Sequence, residues 1–122
     1  MKELSVLQLD TSFPRLPGDV ACRETFNKPI NLVKVHKASV SQIVTETPSK
    51  RSLVNFQDQV RKNKERIIAT SCGFTFLWQK ELQNLTNAKF ISSSLCALDY
   101  LQKYRLENNT LLLTFNAKIL NS

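Results

Sequence analysis

At 122 residues the chain is the size of one ordinary domain, and its 42% hydrophobic and 22% charged residues are globular proportions, which excludes an intrinsically disordered chain. Cysteines at 22, 72 and 96 are odd in number and include no CxxC pair, so neither a disulfide framework nor a zinc site is indicated. The formal net charge of +7 permits nucleic-acid binding, but the 17 Lys and Arg residues are spread along the chain, so no nucleic-acid partner is expected.

The one basic cluster, Arg61 to Arg66, falls at the end of an expected helix, where the helix dipole favours cations, and reads as a solvated helix end. No charged-then-apolar leader opens the chain and no apolar run is long enough to span a bilayer. The expectation is a cytoplasmic protein with no membrane partner.

In chain order, Leu4–Leu9 is an apolar run suited to a buried strand, stopping at Asp10-Thr11. Pro14, Pro17 and Gly18 then mark a rigid loop reaching to about Asn27, a length more typical of functional loops than of connectors. Ile30–Val35 reads as a second strand, followed by His36, whose commoner role at such a place is structural. Ser39–Glu46 suits a short helix or turn interrupted by Pro48. Ser52 can cap a helix from Leu53 to about Lys64, with Leu53, Phe56 and Val60 on one stripe.

Ile67–Ala69 is the third expected strand, running into Ser71-Cys72-Gly73. A helix over Phe74–Leu85 follows, then a short strand at Lys89–Ile91 and three serines, Ser92-Ser93-Ser94, opening a helix through Tyr104. Cys96 lies inside that helix and reads as packed. Thr110–Phe115 reads as a fifth strand, with a further helix beginning at Asn116.

Strands alternating with helices predict an α/β fold, a Rossmann-like open parallel sheet flanked by helices. In such a sheet the unusual residues that follow strands share one edge: Asp10 and Thr11, then Ser71, Cys72 and Gly73, then Ser92, Ser93 and Ser94. Cys72 sits between a strand end and a helix N-terminus, a place that favours a reactive thiolate, although free cysteines commonly serve as small buried hydrophobes. The serines offer hydroxyl and N–H groups to a carboxylate, or serve simply as a helix cap. Asp10 either orients a ligand amine or holds its loop. Neither GxGxxG nor GxxxxGK[ST] is present, which argues against nucleotide binding. Cys72 with His36 would also suit a Cys-His hydrolase.

The segments LDTSFPRLPGD, ETF, KAS, TSCGF, SSSL and LLLTFNA, in this order, resemble the N-terminal half of the aspartate/glutamate racemase superfamily, in its hydantoin-racemase-related branch. Within that pattern Lys37 stands where a glycine is expected before Ala38. The resemblance implies one lobe (residues 1–108) of a two-lobe pseudo-symmetric fold, with 109–122 beginning a truncated second lobe. It implies an isomerase chemistry that needs neither pyridoxal phosphate nor metal, in which two cysteines exchange a proton on the substrate α-carbon. Cys72 would be the catalytic cysteine. Asp10, Thr11, Ser71, Gly73 and Ser92, Ser93 and Ser94 would bind a small carboxylate or amino acid, with no cofactor. The second cysteine lobe is missing, so the expectation is a chain inactive by itself that self-associates or meets a second-lobe partner chain. The alternative is a non-catalytic carboxylate-binding or interaction module.

Overall fold

The computed structural model describes residues 2–104, 109–114 and 117–120. Four strands form one all-parallel sheet: β1 (Leu4–Gln8), β2 (Asn31–Lys34), β3 (Ile67–Thr70) and β4 (Lys89–Ile91), in the order β2-β1-β3-β4. The expected α/β open sheet is therefore present. β1 is central, with Ser5 opposite Asn31 on one side and Ile68 on the other. Ser5 to Gln8 are all buried, the polar Ser5 and Gln8 included, as a central parallel strand covered on both faces requires.

Alternation along β1 sends side chains into two cores. Leu7 and Leu9 pack with Ile68 and Phe90 against the helix residues Phe56, Val60 and Leu82. Val6 faces a smaller cluster with Ala21 and Ile30, completed by Leu4, Val20, Phe26, Leu32 and Ala69. That second face is filled by strand residues and by the long loop after β1. The loop is thus a packed layer of the domain as well as a connector.

After β2 the chain forms α1 (Val40–Ile43) and α2 (Lys50–Lys62). α2 begins earlier than the sequence suggests: its N-cap is Ser49, whose hydroxyl accepts the Ser52 N–H at 3.4 Å. Pro48 disfavours helical backbone at Thr47, leaving the next serine to start the helix. Ser52 is instead buried and its hydroxyl donates to the Lys37 carbonyl. Ser52, Phe56 and Val60 make the buried stripe at four-residue spacing, and Arg61 and Lys62 close the last turn, both exposed.

The helices after β3 and β4 each open as a 3₁₀ turn: Gly73–Trp78 leads into α3 (Gln79–Gln83), and Ser94–Ala97 into α4 (Leu98–Lys103). α4 buries none of its residues. Thr110–Thr114 is not a strand, and Leu111 and Leu113 are largely exposed. Phe115, the end of the expected fifth strand, lies outside the described residues. Ala117–Leu120 is helical, α5. Among the described residues no helix is long and apolar enough to cross a membrane.

Candidate functional site

The strand order creates a switch point. From β1 the chain crosses to β2 on one side, and from β3 it crosses to β4 on the other, so the connections leave these neighbouring strands in opposite directions. Their C-terminal ends open a crevice, the usual ligand position of open parallel sheets. Two hydrogen bonds tie its walls: Ser71 N–H donates to the Leu7 carbonyl at 3.0 Å, and Leu9 N–H to the Ser71 hydroxyl at 3.3 Å. A cavity of about 880 Å³ lies there, lined among others by Thr11, Ser71, Cys72, Gly73, Ser93 and Ser94.

Cys72 caps the 3₁₀ turn after β3 in extended conformation and is 9% exposed. Burial pushes its thiol pKa up, opposed by hydrogen bonds from the Phe74 and Thr75 N–H groups. The N–H groups foreseen from the helix start thus reach the sulfur, but desolvation outweighs them and the resting group is a thiol. Behind it, the Thr70 and Thr75 hydroxyls lie 2.6 Å apart and serve the carbonyls of Cys72 and Ser92. This buried pair locks the loop after β3 to the loop after β4.

The serine run divides its work. Ser92 is fully buried, donating its N–H to Gln79 Oε1, and does not line the cavity. The Ser93 hydroxyl accepts the Leu95 N–H at 3.0 Å, a helix cap, while still bordering the cavity with Ser94. Gly73 lies beside Ser93, and a Cβ there would make an ordinary contact of 3.6 Å with the Ser93 hydroxyl oxygen. Cys96 is half-buried, its thiol 3.4 Å from Gln79 Oε1.

Asp10 turns away from the cavity. Its carboxylate accepts the Lys37 N–H at 2.9 Å and lies 3.7 Å from His36 Nδ1. Lys37 has φ 60°, the left-handed conformation glycine favours, at the position where the sequence pattern anticipates glycine. His36 is 82% exposed and lines no part of the cavity that holds Cys72. The Cys-His hydrolase arrangement is therefore not what the fold assembles.

Two further cavity residues, both within the LDTSFPRLPGD segment, were given no role from the sequence. Arg15 Nη1 donates to Asp19 Oδ2 at 2.9 Å, Nη2 to the Thr11 hydroxyl at 3.1 Å, and the guanidinium lies 4.2 Å from the centre of the Phe13 ring. Burial raises the Asp19 carboxyl pKa, but the Arg15 hydrogen bond, the Ala21 N–H and the Arg15 charge together hold it below its ordinary value. The available signal was an arginine between two prolines in a loop of functional length, with an acid four residues on. Among the described residues, no group of three or more His, Cys, Asp or Glu is placed to hold a metal ion.

The fold and crevice define a Rossmann-like α/β domain with a thiol at its switch point. A dimethylsulfoniopropionate lyase from Durusdinium sp. clade D is 31% identical to the chain over 99 residues, which are 78% of this chain and 33% of the lyase. The chain thus spans about a third of the length of the curated relative it matches. No protein-family model matches the chain, and no solved structure matches it. These findings correct the racemase expectation. The similarity found is to a lyase, so membership of the racemase superfamily, a truncated racemase and isomerase chemistry are not supported. Polar residues at the edge of a parallel sheet, such as those of TSCGF and SSSL, do not by themselves name one chemistry, because a fold of this kind hosts many.

Proposed function

We propose that the chain forms one wall of a lyase-type site for a small carboxylate, with Cys72 as the proton acceptor. The observation that carries this reading is the convergence of Thr11, Ser71, Cys72, Gly73, Ser93 and Ser94 on one cavity at the β1/β3 switch point. The similarity to a dimethylsulfoniopropionate lyase supplies the reaction type. For a β-sulfoniocarboxylate the step is an elimination. The Cys72 thiolate takes the proton from the carbon beside the carboxylate, and that C–H electron pair becomes the new C=C bond. The C–S bond breaks, and dimethyl sulfide leaves with its electron pair. Acrylate remains, and the Cys72 thiol returns its proton to solvent.

The raised thiol pKa has a kinetic consequence. The thiolate is scarce at neutral pH but is a stronger base when formed. Turnover should therefore rise with pH to above the free-thiol value of about 8.5. The chain matches a third of the lyase, so full activity is read as needing further structure beyond the residues described. A reducing, cytoplasmic setting suits three free cysteines.

The test is incubation with dimethylsulfoniopropionate in deuterated water, following deuterium at the carbon beside the carboxylate and dimethyl sulfide in the headspace. Cys72→Ala should abolish both signals. Undiminished release from that variant would sink the assignment of Cys72.

A further inference from the structure

Arg15 holds an unusual position in the cavity wall. A guanidinium presents five N–H donors in a rigid planar fork. One edge is occupied, Nη1 donating to Asp19, while Nη2 makes its bond to Thr11. Nε is buried and has no hydrogen-bond partner, the one such side-chain atom among the described residues. Buried donors of this kind are rare, and leaving one unmet is costly. The group is also fixed in place: its side chain is 15% exposed, Asp19 is itself anchored by the Ala21 N–H at 2.7 Å, and Phe13 covers the guanidinium face. A preorganised fork with an open edge is the arrangement that recognises a planar carboxylate by two parallel hydrogen bonds.

We propose that Arg15 is the anion-recognising residue of the cavity, taking the carboxylate of a small organic acid along its Nε–Nη2 edge. This rests on the reading of the cavity as a carboxylate site and names the residue that reads the charge. Asp19 leaves the Arg15 site close to neutral when empty, and the Phe13 ring lies over the guanidinium face. Phe13 is 54% exposed, so its ring is free to swing away as the acid enters. The bound carboxylate gives Nε its missing acceptor and places the neighbouring carbon in the cavity that Cys72 lines.

Propionate, its neutral analogue propionamide and dimethylsulfoniopropionate are the probes, titrated into the ¹⁵N-labelled full chain. The Arg15 Nε–H resonance, assigned by its loss in Arg15→Lys, should shift with both acids and stay still with the amide. Arg15→Lys should bind propionate about tenfold more weakly, because the two-point contact becomes a point charge. If that variant loosens the loop, Phe13→Ala carries the test: removing the ring from the guanidinium clears the acid's entry and should tighten propionate binding, and unchanged binding overturns the proposal. Should the Gly73 and Ser93 amides respond to dimethylsulfoniopropionate while Arg15 Nε–H does not, the anchor is wrong and the lyase reading stands. No response at any of these groups overturns both.

Discussion

Lys37 shows how one residue can carry the geometry of a whole turn. Its left-handed backbone points its N–H at Asp10 and its carbonyl at the Ser52 hydroxyl, joining the loops after β1 and β2 to α2. A non-glycine residue held in this region costs about 1–2 kcal/mol. Lys37→Gly removes that strain but gives the unfolded chain more freedom, so its stability should lie between unchanged and about 1 kcal/mol higher. Lys37→Val adds β-branching where positive φ tolerates it least, and should destabilise by more than about 1 kcal/mol. Urea denaturation of the two variants beside the parent chain checks both signs. At Asp19 the sign is set by a lowered pKa: its contribution to stability is present above the unfolded carboxylate value and lost as pH falls through the folded one.

At the scale of elements, the sheet and the loops at its edge depend on the Thr70–Thr75 pair. The two hydroxyls carry two protons between them and meet two buried carbonyls as well as each other. Thr75→Val keeps the shape and removes one donor, leaving a buried carbonyl short of a partner. A loss of about 1–3 kcal/mol is expected, with thermal denaturation as the measure. The elements themselves were largely legible in the sequence. Val6 and Leu7 on opposite faces of a largely apolar segment announce a central strand, and Phe56 and Val60 announce the inner face of α2. Leu111–Leu113 carry the same apolar signal without a strand, because hydrophobicity demands burial but does not name a ladder partner. The strand-end residues of the site could be grouped from topology alone. Arg15 and Asp19 could not, since a long loop's path is fixed by tertiary bonds such as Gly18 N–H to the Thr25 hydroxyl and the Thr25 hydroxyl to the Asp19 carbonyl.

Across the whole molecule, large apolar side chains stay exposed, and Phe13, Leu111 and Leu113 do so at the cavity. Phe13, Leu16, Leu77, Leu98, Leu111 and Leu113 are all exposed. Single exposed leucines are ordinary, but this number on one small domain favours association. Sedimentation velocity over a concentration series should show reversible self-association that Leu111→Lys with Leu113→Lys weakens. A monomer at every concentration would count against a second copy as the covering surface.

The strand order also governs how the chain acquires its shape during synthesis. Each pairing of the sheet joins segments distant along the chain, from Ser5 with Asn31 to Leu4 with Ile67, and each strand pair is parallel, so no hairpin can form early. The central strand β1 precedes both of its neighbours and cannot complete its ladder until β3 has left the ribosome. Until then the apolar Leu4–Leu9 segment remains unpaired on one side or both. A nascent chain of this topology spends the time of some sixty further residues, several seconds at about 5–20 residues per second, as a natural client for chaperones that shield apolar segments.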